Sequence, residues 1–328
     1  MATFSDASFD AVAYSANRPT YPPELYTFIA ERTRPLRDAG PTVCVDVGCG
    51  PGISSFPFLD HFDQVIGIEP GQGMVETAQA LRSQRNEGEQ ARIRFEQGTA
   101  EQLSKIVRAD HSVDLVVACT SAHWFQDPAE VYREIARVLK PSASFFFFSY
   151  STLHFPDRPE LEALVGPLSA ETLGPFWSEP GHTISETLLA QYPLPYASSF
   201  PNSKINENNE SGSEAFTNAF DPKTFSRSFS LLSNDESRIP TLLSNEEHIE
   251  HVRVELSDRV KLTRWWTLEQ VKNLVNTWSG SHDWNQAHLG RDCAKEFCRK
   301  LEAAGWSDDE HEEQVMWEIG CLQGRTRA

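Results

Sequence analysis

No stretch of this 328-residue chain is apolar for long enough to cross a bilayer. Its most apolar run, "SASFFFFSY" at 142–150, falls well short of the roughly 20 residues a spanning helix needs. Basic residues are scarce: 29 Lys and Arg face 47 Asp and Glu, a net charge of −18. Such a surface repels phosphate backbones and anionic lipid, so neither nucleic acid nor a membrane is expected as the main partner. A local Arg or Lys inside a cleft can still serve a small anion. None of the six cysteines forms a CxxC pair. That spacing predicts buried reduced thiols, with no disulfide framework and no metal site. The opening "MATFSDASFDAVAYSANRP" lacks the basic start and apolar run of a secretory signal, which predicts a cytoplasmic protein. Without such a signal, the "NES" at Asn209 reads as chance. There is no internal repeat, and nothing in the sequence sets the oligomeric state.

What is present is an alternation. Residues 42–150 alternate short apolar runs, "TVCVDVG", "DQVIGIEP", "ARIRFEQG", "SVDLVVACT" and "SASFFFFSY", with amphipathic stretches. The runs predict five strands, and the stretches predict helices over 52–61, 73–84, 101–107 and 129–139. Pro57 should kink or delay the first of these, whereas "DPAE" and "KPS" punctuate the last. Strand–helix alternation at this spacing predicts an α/β domain with a doubly wound, mostly parallel sheet. The chain then divides into an N-terminal segment at 1–41, this core at 42–150, and a partly helical cap over 151–328. Within the cap, residues 198–247 are rich in Ser, Asn and Glu and begin as a flexible insertion. "WWTLEQVKNLVNTWSGSHDW" and "GRDCAKEFCRKLEAAGW" predict helices, and "EEQVMWEIGCLQGRT" a returning strand. Seven of the eight tryptophans fall after residue 150, as either an aromatic cap over the ligand edge or ordinary core.

Four motifs carry chemistry. The first is "VDVGCGPGISS" at 45–55, with Gly48, Gly50 and Gly52 at alternate positions. A dinucleotide turn needs G-x-G-x-x-G, and Ile53 stands where its third glycine would be; a P-loop needs a lysine that is missing here. Asp46 beside a pyrophosphate would set two negative charges together. An acid there suits a ligand with a cationic end, such as the ammonium of a methionine moiety. The second is Glu69, which closes the second run, where an acid can accept hydrogen bonds from ribose hydroxyls. The third, "EQGTAEQL", offers Thr99 and the backbone at Ala100 to an adenine edge. The fourth, "CTSAHWFQD", ends the fourth strand at the ligand crevice. There His123 could act as a base, or orient a ligand beside Trp124.

Together these motifs resemble the class I S-adenosylmethionine-dependent methyltransferases. The resemblance implies a seven-stranded, mostly parallel sheet with an antiparallel last strand, and S-adenosylmethionine as cofactor. It also implies a cofactor set of Tyr14, Arg18, Asp46, Gly48, Gly50, Gly52, Glu69, Thr99 and Ala100. "YSANRPTYP", "AHWF", "LGPFWSEPG" and "TWSGSHDW" are similar to the fungal trans-aconitate methyltransferase group, in which the N-terminal segment lies over the cofactor. Where that group often has a basic residue after "PG", His182 stands here, and the Ser/Asn-rich insertion has no obvious counterpart. The expected reaction is methyl transfer to a small molecule, above all the carboxylate of a small organic acid. His123 and Trp124 are placed at the reacting centre, and Trp177, His182, Arg264 and Trp278 about the acceptor. O- or N-methylation of a specialised metabolite, and a non-catalytic regulator that only binds the cofactor, remain as alternatives.

Overall fold

The computed structural model describes residues 9–33, 40–195, 217–232, 252–253, 260–307 and 310–328. Five parallel strands form the frame: β1 Val43–Val47, β2 Gln64–Glu69, β3 Ile93–Gln97, β4 Val113–Cys119 and β5 Leu139–Tyr150. Strands covered on both faces need continuous apolar sequence, and β1, β2 and β4 supply it. β6 Ser226–Ser230, the two-residue β7 Val252–Arg253 and β10 Ile319–Arg325 extend the sheet in the order β3-β2-β1-β4-β5-β10-β6-β7. β10 runs antiparallel to both β5 and β6. Without the two-residue β7, this is a seven-stranded, mostly parallel sheet with one reversed strand.

The phenylalanine run of β5 shows how the sequence builds both layers. Side chains alternate along a strand, so Phe146 and Phe148 enter one core while Phe145 and Phe147 enter the other. All four are at most 1% exposed, each contributing about 1.5–3 kcal/mol by burial. The Tyr132 ring stacks on Phe147.

Helices α1 Ala11–Asn17, α2 Pro23–Thr33, α3 Gln72–Ser83, α4 Glu87–Arg92 and α5 Pro128–Val138 come from the N-terminal half. The Asp127 carboxylate caps α5 by accepting from the amides of Ala129 and Glu130, both at 3.1 Å. Its buried face presents Val131, Tyr132, Ile135 and Val138, at helical spacing.

Several local expectations are corrected. Residues 52–61 hold only a 3-10 turn, Phe56–Asp60, because Gly52 at φ +84° cannot start a helix and Pro57 removes a donor. The stretch at 101–107 is likewise a 3-10 turn, Ala100–Lys105, broken at Gln102. The unforeseen α4 is capped by the side chain of Asn86, which accepts from Glu89 N at 2.9 Å. "WW" at 265–266 lies in a strand, β8 Leu262–Trp266, and the returning strand is two strands. β9 Glu313–Trp317 pairs antiparallel with β8 in a separate two-stranded sheet, and the chain then turns into β10. Of the expected insertion, residues 198–216 and 233–247 lie outside the described residues; between them β6 is a sheet strand whose residues are all buried.

Beyond the sheet, α6 Pro159–Glu162 and α7 Gly181–Glu186 are short. Three longer helices follow: α8 Leu268–Asn276, α9 Ser279–Ala287 and α10 Cys293–Ala303. The α8 start is a capping box in which Thr267 and Gln270 satisfy each other's backbone amides.

Candidate functional site

The strand order reverses between β1 and β4, and at the carboxyl ends of these strands doubly wound sheets leave a crevice. Here it is a cleft of about 730 Å³. Its floor is the glycine turn, where the amides of Gly48 and Cys49 donate to Ile68 O at 2.7 and 3.1 Å. Gly48 and Gly50 both have positive φ, +68° and +53°, a region that favours glycine. Their surroundings differ. A Cβ on Gly48 would lie 2.5 Å from Ser121 Cβ, whereas one on Gly50 meets nothing within 4 Å. Gly48 lets the turn seat against the loop after β4; Gly50 leaves open room for a ligand. Gly48→Ala is therefore expected to lower Tm by several degrees more than Gly50→Ala. Gly50→Ala should instead weaken cofactor binding by about tenfold, because its methyl group occupies ligand space. Thermal melts and calorimetric titration of both variants check this, and equal effects on both readouts would reject it.

Glu69 ends β2 at the rim and is 7% exposed. Its Oε2 accepts from Gly50 N at 3.0 Å and its Oε1 from Gly71 N at 2.9 Å. Burial raises its pKa, while these two amides pull it down. Thr99, Ala100 and Glu101 form another stretch of wall, with Met74 from α3. Tyr14 on α1 and Arg18 just after it close the cleft from above.

A smaller cavity of about 90 Å³ adjoins the first, lined in part by Trp177, His182, Glu186 and Trp278. Tyr14, Arg18, Thr120, His123, Trp124 and Tyr150 line both spaces and so form their junction. There the Arg18 guanidinium donates to Tyr150 Oη at 3.2 Å and to Thr277 O at 3.0 Å. It also lies 4.7 Å from the centroid of the Tyr14 ring. Its Nε is enclosed without an acceptor, and among the described residues no carboxylate pairs with it. Burial pushes the Tyr14 phenol up to about 12, against the opposing pull of Arg18. His123 carries a buried Nδ1 with no partner. Burial, and then the charges of Arg18 and His182, lower its pKa to about 3. The ring is therefore neutral across the physiological range. Thr120 sits at φ +52°, a strained conformation for a branched residue and common at functional sites. Its hydroxyl bonds the Tyr21 phenol.

Three expected site residues are placed elsewhere. Asp46 does not line the cleft: it is fully buried behind the turn, where its Oδ2 accepts from Ser55 Oγ at 2.6 Å. Alternation along β1 explains this, because Asp46 shares a face with Cys44 and opposes Val45 and Val47. Gly52 also backs away from the cleft, its absent side chain making room for the Phe95 ring. Arg264, on β8, lines neither cavity; its guanidinium donates to Thr20 O at 2.6 Å and Thr20 Oγ1 at 3.0 Å. Tyr21, Thr120, Tyr150 and Glu186 are wall residues that motif reading passed over. Tyr21 and Thr120 lie inside "YSANRPTYP" and "CTSAHWFQD", which was the available signal.

Burial pushes the Asp46 carboxyl up to about 7, the hydrogen bonds of Ser55 and Cys119 opposing and the Glu69 charge adding. An unfolded aspartate ionises near about 4, so the folded chain holds this proton more tightly. Its contribution to stability is full below that pH and is lost as pH rises toward 7, at up to about 1.4 kcal/mol per unit. Asp46→Asn keeps an acceptor for Ser55 and cannot ionise. Its Tm is expected to fall less than the wild-type value between pH 5 and pH 8 in scanning calorimetry. A parallel decline in both proteins would contradict this assignment.

With this geometry in place, the comparisons are specific. A family of methyltransferase domains matches residues 45–147, the span that carries the glycine turn, Glu69, Thr99 and His123. That stretch, under a third of the chain, is similar to methyltransferase domains. A Dictyostelium discoideum protein that carries a methyltransferase name is 29% identical over 53% of this chain and 60% of its own length. The Saccharomyces cerevisiae protein CRG1, named as a probable S-adenosylmethionine-dependent methyltransferase, is 29% identical over 48% of this chain and 51% of its own. The chain thus spans little more than half the length of these relatives. A solved structure of a type II methyltransferase candidate from Anaeromyxobacter dehalogenans shares the fold at TM-score 0.61. It is 21% identical and covers 94% of this chain and 97% of its own. Within residues 45–147, the open space over Gly50 and the buried carboxylate of Glu69 at the rim would fit S-adenosylmethionine. No helix among the described residues is long and apolar enough to cross a membrane.

Proposed function

We propose that this protein transfers a methyl group from S-adenosylmethionine to the carboxylate of a small organic acid. The observation that carries the reading is the junction: a guanidinium that no carboxylate among the described residues pairs with stands where the cofactor cleft opens into a small second cavity. Buried charge without a partner is costly, and an anionic acceptor supplies that partner by charge-assisted hydrogen bonds. The bound cofactor supplies an electrophilic methyl group. Glu69 would hold its ribose, Gly48 and Gly50 would admit it to the turn, and Thr99 and Ala100 would flank its adenine. Tyr14 covers the donor end, and Arg18 aligns the acceptor carboxylate across the junction.

A carboxylate is already ionised and needs no base. His123 suits that reaction better than deprotonation of a phenol or an amine, since a group with a pKa near 3 is a poor base at neutral pH. It acts instead as a neutral wall, with Trp124, that orients the acceptor and excludes water. On the same reading the segment bearing Tyr14 and Arg18 is a lid, residues 42–150 hold the cofactor, and residues after 150 shape the acceptor site with Trp177, His182 and Trp278. The setting is cytoplasmic and the acceptor a small molecule, in keeping with the acidic surface.

Incubation with methyl-labelled S-adenosylmethionine and a panel of acids, phenols and amines tests this. Labelled product that base releases as methanol is expected from acids alone. Label in base-stable products would replace the acid with a phenol or amine acceptor, and binding without transfer to any member would favour a regulator.

A further inference from the structure

The smaller cavity holds a second charge that the methyl-transfer reading does not use. Helix α7 contributes His182 and Glu186, one helical turn apart. The His182 ring lies flat on Trp177, with centroids 5.2 Å and planes 4° apart. Trp177 is itself held: its indole N–H donates to Ser169 O at 3.1 Å, and Gly280 permits its close approach. This side of the cavity is therefore rigid.

Glu186 is an exposed residue that also lines the cavity. Burial raises its pKa, the charges of His182 and His154 pull it down, and Glu318 raises it. Among the described residues no hydrogen bond reaches its carboxylate, and it forms no ion pair with Arg18. The cavity thus carries a guanidinium with an unpaired Nε and a carboxyl group that does not pair with it. At roughly 10–15 Å³ for each water-sized position, its space of about 90 Å³ admits only a short molecule.

We infer that the acceptor is a short acid bearing a hydrogen-bond donor, a hydroxyl or an amino group, at the end remote from the methylated carboxylate, and that Glu186 selects it. Arg18 takes the reacting carboxylate at the junction, and Glu186 accepts from the remote donor. Trp177 and Trp278 flank the short carbon chain between them. This inference rests on the carboxylate-methylation reading and adds a specificity residue to it. A site that hydrogen-bonds a ligand's donor group discriminates more strongly against an analogue lacking it than a missing methylene does.

The test uses three straight-chain acids of equal length, ending in a methyl, a hydroxyl or an ammonium group. Each is assayed with the wild-type chain, Glu186→Gln and Glu186→Leu. The wild type is expected to favour one donor-bearing acid over the methyl-terminated acid by at least about tenfold in kcat/KM, mostly through KM. Glu186→Leu should erase or invert that preference, and Glu186→Gln should retain it for the hydroxyl acid. Unchanged S-adenosylhomocysteine affinity in the variants shows that the fold and cofactor cleft are intact. Equal rates on all three acids, or a preference that survives Glu186→Leu, would overturn the inference while leaving acid methylation standing. Transfer to none of the acids would overturn both readings together.

Discussion

Glu69→Ala is expected to weaken S-adenosylhomocysteine binding by at least about 100-fold. Both carboxylate oxygens of Glu69 accept backbone amides, one from Gly50 in the glycine turn and one from Gly71 before α3. Hydrogen bonds to a charged group are worth about 1.5–3 kcal/mol each, and each 1.4 kcal/mol is tenfold in affinity. Losing two of them frees the turn that cradles the cofactor and removes the acceptor for its ribose hydroxyls. Some of that loss appears as reduced stability rather than affinity, since the same bonds tie the turn to β2 in the unliganded chain. Glu69→Gln keeps one oxygen and replaces the other by a donor, so it should fall between alanine and wild type. Calorimetric titration, read beside thermal melts, separates the two effects. Unchanged affinity in Glu69→Ala would remove the residue from the cofactor site.

The second large effect is expected at Arg18. Arg18→Met removes the cation from the junction but fills similar volume against Tyr14 and Tyr150. Truncating one partner of a buried, hydrogen-bonded charge pair costs about 2–5 kcal/mol. That corresponds to a loss of about 30- to 5,000-fold in kcat/KM for an acid acceptor. Cofactor affinity should change by less than about tenfold, since Glu69 and the glycine turn are untouched. Arg18→Lys restores charge but not the planar fork that reaches Tyr150 and Thr277 together, so its rescue should be partial. If Arg18→Met lost cofactor affinity and kept acceptor KM, the guanidinium would belong to the donor's carboxylate instead.

The parts of this site that could be read in the sequence are those set by local chain geometry. A glycine turn after an apolar strand, and an acid at the end of the next strand, are consequences of backbone shape and parallel-strand alignment. Their positions at the rim of the cleft follow from strand order alone. Asp46 shows where such reading stops. Its place next to Gly48 suggests contact with a ligand, but the period-two alternation of β1 turns it to the buried side. Arg264 lies on β8, where its guanidinium donates to Thr20 and lines neither cavity. Tyr150 and Glu186 become wall residues only when distant segments meet, a long-range outcome that no local pattern encodes. The split of "EEQVMWEIGCLQGRT" into β9 and β10 is similar. Glu318 marks the break: its amide donates to Ser151 Oγ at 3.0 Å and its carbonyl accepts from Ser151 N at 2.9 Å. These bonds steer the chain from one sheet to the other.

The central claim is that a carboxylate oxygen, held at the Arg18 junction, receives the methyl group of S-adenosylmethionine. Mass spectrometry of products formed from cofactor carrying a trideuterated methyl group tests it most directly. A methyl ester is expected that retains all three deuterons, is cleaved by mild base, and is nearly lost in Arg18→Met. An intact trideuteriomethyl group found only on nitrogen or a phenolic oxygen, or an ester yield unaffected by Arg18→Met, would contradict it.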